Sequence, residues 1–261
     1  MSQEKPQLRR YYITNFLSQF HPFTFWSAFR QFWGHVHIRL RYSSGLPDKD
    51  TYTSNISYAL PFEGAWMVVN GGSNQENSHS WDILTQRYAY DFFQVDESEE
   101  SFSAEGKHLT DYYCFETPVL SPAAGTVVQV RDGVRDYKGV GDYSIDWRTK
   151  DFRGNFVVIQ HGEEEFSFLA HLKKNSLMVT EGDLVQKGQL IGLCGNSGHS
   201  TEPHIHFHLQ DRKDFWTAMG LPIRFETFYV KSSLGNIEKT KTFIERGQQV
   251  GNTLGVEQNG E

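Results

Sequence analysis

Glu202-Pro203-His204-Ile205-His206-Phe207-His208-Leu209 alternates between imidazoles and apolar side chains from residue 204 on. A period of two belongs to a β-strand, so Ile205, Phe207 and Leu209 face one way and His204, His206 and His208 the other. Residues on one face lie ~6.5 Å apart, two steps of ~3.3 Å. At that distance one imidazole can bind a metal while its neighbour touches water or substrate beside it. The plainer alternative is a wet face that happens to be rich in histidine. Three imidazoles in register, opposite an apolar face and directly after the tight loop Gly195-Asn196-Ser197-Gly198, favour chemistry.

Outward from that strand the chain reads as short β segments punctuated by glycine. Residues 155–161 and 165–172 make a hairpin around Gly162, and residues 118–130 read as strand, turn at Gly125, strand. Further strands fall near residues 187–192 and 225–230. Regular short strands with Gly turns imply an all-β sandwich or barrel. Residues 86–92 form another strand with Asp91 inside it, and a carboxylate buried there needs a salt-bridge partner or a metal. Residues 94–113 read as an acidic surface loop. Residues 131–154 are too long for an idle turn and could wall a groove.

The N-terminal part differs. Residues 1–21 are basic and aromatic with little pattern. From Pro22, a residue suited to a first helical turn, Phe25, Trp26, Phe29, Phe32, Trp33, Val36 and Leu40 follow helical spacing. This aromatic stripe is expected to pack on the main domain. Arg30, Arg39 and Arg41 flank it, so contact with a membrane surface is the alternative. The expected division is an N-terminal helical extension over 1–55, a β domain over 56–230, and a polar tail over 231–261, disordered from about 246.

The formal charge of −7 is uneven. Residues 1–41 hold six Lys/Arg and one Glu, leaving 19 Lys/Arg against 31 Asp/Glu in the remainder. An acidic body argues against nucleic acid as partner. Cys114 and Cys194 cannot make a disulfide framework or a thiolate zinc site. Gln19, His21, Arg30 and Gln31 interrupt any secretory apolar region, and no window reaches the ~20 apolar residues of a membrane span. A cytoplasmic location, export by a route the sequence does not display, and a membrane-peripheral position all stay open.

The residues with chemistry in them are His79, Asp91, His171, His204, His206 and His208. A nitrogen and oxygen donor set without sulfur suits zinc, and a catalytic zinc keeps three protein ligands and one water position. H-E-x-x-H is absent, so the ligands must come from separate strands.

Several separated motifs, in order, resemble the M23 metallopeptidases of the lysostaphin and LytM type. They are Asp91, the Pro122-Ala123-Ala124-Gly125-Thr126-Val127 turn, Ala170-His171-Leu172, Gly182-Asp183 through Gly188-Gln189 to Ile191-Gly192, the Gly195–Gly198 loop, and Pro203-His204-Ile205-His206-Phe207. The resemblance covers roughly residues 60–210. It implies an antiparallel β-sheet or sandwich of the duplicated hybrid-motif type, and hydrolysis of Gly-containing or D-amino-acid peptide bonds in bacterial peptidoglycan. It also implies Asp91 and His206 as zinc ligands and His171 and His204 as catalytic histidines.

One position departs: the family's H-x-x-x-D would place histidine at 87, where this chain has Arg87. Asn77-Ser78-His79 followed by Gln86-Arg87-Tyr88-Ala89-Tyr90-Asp91 is similar to one M23 branch, which makes His79 the expected third ligand. His208 and Asn77 are expected beside the ligands as supporting residues. The implied reaction uses a zinc-bound water flanked by His171 and His204. Two rivals are a catalytically silent M23-like domain that binds wall peptides or regulates a partner hydrolase, and a sugar-transport phosphocarrier with two facing histidines. The second leaves Asp91 without a role.

Overall fold

A computed structural model describes residues 6–252. Two helices lead, α1 (Pro6–Gln19) and α2 (Pro22–Arg41). Strands follow as β1 (Trp66–Asn70), β2 (Tyr90–Phe93), β3 (Pro118–Leu120), β4 (Gly125–Arg131), β5 (Asn155–Gly162) and β6 (Glu165–Leu172). After them come β7 (Leu184–Val185), β8 (Leu190–Leu193), β9 (Ile205–Gln210), β10 (Gly220–Leu221), β11 (Phe225–Val230), β12 (Ile237–Thr242) and β13 (Gln249–Gly251).

Among the described residues, eleven strands join one sheet in the order β12-β11-β13-β1-β2-β9-β6-β5-β4-β7, with β10 on the end of β9. Their pairings are antiparallel. A separate pair, β3 with β8, covers one face of this sheet. The expected antiparallel β architecture with N-terminal helices is present.

The alternation read in the sequence decides which face is which. Ile205, Phe207 and Leu209 enter the main core with Trp66, Phe92 and Leu169, and with Val119 and Ile191 from the small sheet. Each such fully buried side chain contributes roughly 1.5–3 kcal/mol of hydrophobic stabilisation. The opposite face has its own apolar cluster, in which Phe156, Phe168 and Ala170 meet Phe215 and Trp216. That second cluster takes the histidine face of β9 out of water: His206 is 6% exposed and His208 fully buried. The plain reading of a wet histidine face therefore does not hold.

Three sequence expectations change. Residues 6–19, read without pattern, form α1; residues 1–5 lie outside the described part. Residues 237–242 and 249–251, placed in a polar tail, are strands of the main sheet. β12 is an exposed edge strand carrying Glu238, Lys239 and Lys241, so it has no apolar face to betray it. Residues 253–261 of that tail lie outside the description.

The third change concerns α2. Its aromatic stripe does not pack on the domain: Phe25 is 71% exposed and Phe32 63%. The helix docks through its other side. Gly34 lies against the backbone of residue 216, where an added Cβ would fall 1.8 Å from the Trp216 carbonyl oxygen. Ile38 inserts between Leu84, Tyr88 and Met219. Arg41 Nη2 and the Tyr42 hydroxyl both donate to Asp211 Oδ2, at 2.6 and 3.0 Å. Aliphatic and small residues suit close approach, and the bulky rings have no room there.

Gly34→Ala separates packing from helix propensity. Propensity alone would stabilise α2 by about 1 kcal/mol, whereas overpacking against rigid backbone costs about 1–3 kcal/mol. The expected outcome is faster amide hydrogen exchange in residues 34–41; slower exchange there would contradict the packing described.

Candidate active site

Four strands bring the polar side chains into line. Asn70 on β1 pairs with Asp91 on β2, Asp91 pairs with His206 on β9, and His206 pairs with Ala170 on β6. Directly opposed residues in antiparallel strands hold their Cβ atoms ~4.5–5.5 Å apart, so Asn70, Asp91 and His206 must meet. His171 follows Ala170 and His204 precedes β9, which puts both at the same end of this row.

Asp91 is the centre. It is 6% exposed, and its Oδ1 lies 2.9 Å from His206 Nδ1 and 3.6 Å from His204 Nε2. Its Oδ2 accepts from Asn70 Nδ2 at 3.0 Å and lies 3.5 Å from His79 Nδ1. Burial alone would raise this carboxyl, but contact with His206 and the imidazoles of His79, His204 and His206 hold it well below the usual carboxylate range. Among the described residues, its ion-pairing neighbours are all histidines; no Lys or Arg reaches it.

His171 has the left-handed backbone angle φ 60°, which a non-glycine residue adopts at a cost and which recurs where a side chain must be aimed. Its Nδ1–H donates to the Ser197 carbonyl at 2.7 Å. That carbonyl is fixed by the tight loop: the Ser197 hydroxyl accepts from Asn155 N and donates to Leu172 O, at 2.9 and 2.7 Å. Gly154 and Gly198 let the two loops touch, since a Cβ on either would lie 2.4–2.5 Å from the facing backbone.

His204 Nδ1–H donates to the Glu202 carbonyl at 2.9 Å, and the ring stacks on Phe93 with centroids 5.0 Å apart. Burial lowers the pKa of both rings, most strongly for His171. A neutral ring protonated at Nδ1 keeps its lone pair on Nε2. The two ring centroids are 4.8 Å apart, so two proton acceptors stand side by side next to the carboxylate.

His208 continues the row inward. Gln210 Nε2 donates to the carbonyls of Arg212 and Lys213, at 2.7 and 3.2 Å, which turns its Oε1 toward His208 Nε2 at 3.0 Å. His208 must therefore carry its proton on Nε2. Burial drives its pKa down to about 3, so the ring is neutral and its Nδ1 accepts from His206 Nε2–H at 3.1 Å. The chain of bonds places a proton on His206 Nε2 and reserves Nδ1 for whatever lies beside Asp91.

Among the expected residues, His79, Asp91, His171, His204 and His206 line one groove of about 300 Å³. Asn77 does not touch Asp91; its side chain bonds Glu245 and its carbonyl accepts from Gly71 N, so it braces the loop that carries His79. Arg87 turns away, stacking on Trp81 at 4.7 Å and donating to the Trp81 carbonyl. Of residues 131–154, Ile145, Phe152 and Arg153 wall the groove, and α1 adds Tyr11 and Asn15. Sequence reasoning missed Asn70, Gln210 and α1. The strand ending Asn70-Gly71-Gly72 offered the one available signal for Asn70, a polar side chain at the end of an apolar run.

The donor types in this row can be tested against a metal. Two imidazole nitrogens and a carboxylate form a donor set of the type zinc accepts, and each carboxylate oxygen already faces one of the nitrogens. Among the described residues, no three His, Cys, Asp or Glu side chains stand in a closed metal-holding arrangement; His206 Nδ1 sits directly against the carboxylate, and His79 is 42% exposed. In kind the donors fit a metal, while His79 stands at the open side of the row.

Comparison with known proteins gives the chain a family likeness. Residues 108–217 match the model of peptidase family M23, and this segment belongs to that family. The peptidoglycan DD-endopeptidase ShyA of Vibrio cholerae is 37% identical over 93 residues, 36% of this chain and 21% of ShyA. ShyB of the same organism is 33% identical over 186 residues, 70% of this chain and 39% of ShyB. A crystal structure of a zinc-containing peptidase from Vibrio cholerae matches with 23% identity, 64% of this chain, 41% of that chain and a TM-score of 0.38. The chain thus spans less than half the length of these relatives. The matched family segment starts after His79 and Asp91, and the sheet pairing is what brings Asp91 to it.

The hydrogen-bond pattern makes a direct expectation for solution spectra. Long-range proton–nitrogen correlation at neutral pH should find His171 and His204 neutral and protonated at Nδ1. Protonation at Nε2 in either ring would contradict the assignment.

Proposed function

We propose that the domain is a zinc-dependent endopeptidase that hydrolyses peptide cross-links of bacterial peptidoglycan. The observation that carries this reading is Asp91: a buried, ionised carboxylate whose partners are three imidazoles and the Asn70 amide, in a groove it shares with His171 and His204. A buried anion is tolerated when a cation pairs with it, and among the described residues no Lys or Arg reaches Asp91. The proposed ligands are His79, Asp91 and His206. Zinc held by them would supply Lewis acidity, acidifying water and polarising a carbonyl.

The chain's own residues do the rest. His206 is held in the tautomer with a free Nδ1 by His208, and Gln210 holds His208. Such supporting partners orient a ligand and raise its basicity. His171 and His204 each offer Nε2 as a base toward the groove, and their carbonyl partners at Ser197 and Glu202 steady the ring that becomes charged. The ring that takes a proton becomes an N–H donor, able to stabilise negative charge developing on the scissile carbonyl oxygen or to protonate the departing amine. Phe93, Phe152 and Phe215 exclude water from one side of the groove, which strengthens each of these interactions.

The substrate assignment rests on the relatives, ShyA and ShyB being named peptidoglycan DD-endopeptidases. The groove is compatible with it, being open and lined by both aromatic and polar groups.

Metal analysis and digestion of purified wall fragments, with products identified by mass, test the reading together. The wild type should carry zinc and release cross-link peptides. His171→Ala and His204→Ala should keep zinc and lose about 10²–10⁴-fold in rate. His206→Ala should lose the metal; full zinc occupancy in that variant would break the ligand assignment. His208→Ala should weaken zinc affinity by about 10–100-fold, whereas unchanged affinity would leave the His208–Gln210 pair a merely structural contact.

A further inference from the structure

Both N-terminal helices are turned with their polar side to the protein. Thr14, Asn15 and Ser18 of α1, and Thr24, Ser27 and Gln31 of α2, are buried or half-buried. The rings face out: Phe16 is 62% exposed, Phe20 71% and Trp26 56%. Twelve of the nineteen large hydrophobic side chains that are exposed among the described residues fall within residues 12–40. They are clustered, not scattered. Phe16 meets Phe20 edge-on with centroids 4.9 Å apart, and Trp26 stacks on Phe29, which contacts Trp33. Water-facing surfaces rarely carry apolar groups so concentrated, and where they do the patch marks a partner or a membrane.

Charge and residue type say which. Helices α1 and α2 contain five arginines and no acidic residue, on a protein whose remaining chain is acidic. Arg10 and Arg41 are engaged with Asp142 and Asp211, and Arg30 lies over the Trp216 ring; Arg9 and Arg39 stay exposed at the rim of the aromatic surface. A helix–helix contact with another protein chain would favour branched aliphatic residues that interlock. Phenylalanine and tryptophan beside arginine instead match the headgroup layer of a bilayer, where rings sit among acyl chains and cations meet lipid phosphate. No described helix is long and apolar enough to cross a membrane, so the helices would lie in the plane of the surface.

We propose that α1 and α2 form a lipid-binding surface that holds this domain on an anionic bilayer. The opposite side of α1 lines the groove through Tyr11 and Asn15, so the bound surface and the groove share one helix as their common wall. The inference does not depend on the peptidase reading, because binding is measured without activity.

The test uses the full chain with phosphatidylcholine vesicles, with and without phosphatidylglycerol, read by co-sedimentation and tryptophan emission. The wild type should bind the anionic vesicles with a blue-shifted emission, and bind about tenfold or more weakly to phosphatidylcholine alone or in high salt. The triple variant Phe25→Ser, Trp26→Ser and Phe32→Ser changes only exposed side chains. It should lose binding by a similar factor while keeping the wild-type circular dichroism and unfolding midpoint. Absence of binding to anionic vesicles, or equal binding by the triple variant, overturns the proposal. So does a wild-type dimer in sedimentation equilibrium that the triple variant abolishes while vesicles go unbound, which would assign the face to a second copy of the chain.

Discussion

A carboxylate sits in the middle of an eleven-stranded sheet, and its side-chain partners among the described residues are imidazoles and one amide. Asp91 on the central strand β2 has core on one side of its strand, through Tyr90 and Phe92, and the groove on the other. Moving an anion out of water is costly, and the remedy usually found is a lysine or arginine. Here the remedy is histidine, a group whose charge is conditional and whose nitrogens are also metal ligands. That choice of partner is what makes the region chemically poised, where an arginine would have made it a structural ion pair.

Much of the surrounding architecture can be understood as holding those imidazoles in fixed tautomers. The carbonyl of Ser197 holds His171, the carbonyl of Glu202 holds His204, and the Gln210 amide reaches His206 through His208. None of these contacts is to solvent. The tight loop at Gly195–Gly198 serves His171 by presenting a backbone oxygen, with glycines on both sides where side chains would collide with facing backbone. The aromatic cluster of Phe168 and Phe215 then closes over His208, stacking Phe168 on its ring at 5.0 Å. Burial and tautomer control therefore come from the same elements.

How much of this could be read in the sequence varies by element. The alternation at Ile205–Leu209 is a period-two pattern that assigns both faces of β9. Asp91 stood out because a lone carboxylate in an apolar strand demands a partner. His79 is a different case. Nothing in its own surroundings singles it out, and only likeness to an M23 branch raised it; the structure brings its ring within 3.5 Å of Asp91. Asn70 and Gln210 were invisible because their value lies in cross-strand register and amide orientation. The aromatic periodicity of α2 showed that the helix has two unlike faces but could not say which turns inward, and burial of the rings was the wrong choice. Gly34 and Ile38, two residues of modest appearance, decide that orientation by fitting against the backbone of residue 216 and between Leu84 and Met219. The edge strand β12, polar on both sides, carries no periodic signal at all.

The central claim is that Asp91 shares a zinc ion with His79 and His206. Zinc X-ray absorption spectroscopy on the metal-loaded full chain, set against His79→Ala, tests it most directly. The account predicts a coordination shell of nitrogen and oxygen with two imidazoles and no sulfur, reduced to one imidazole by the substitution. A shell that contains sulfur, or one whose imidazole count is unchanged when His79 is removed, would contradict it.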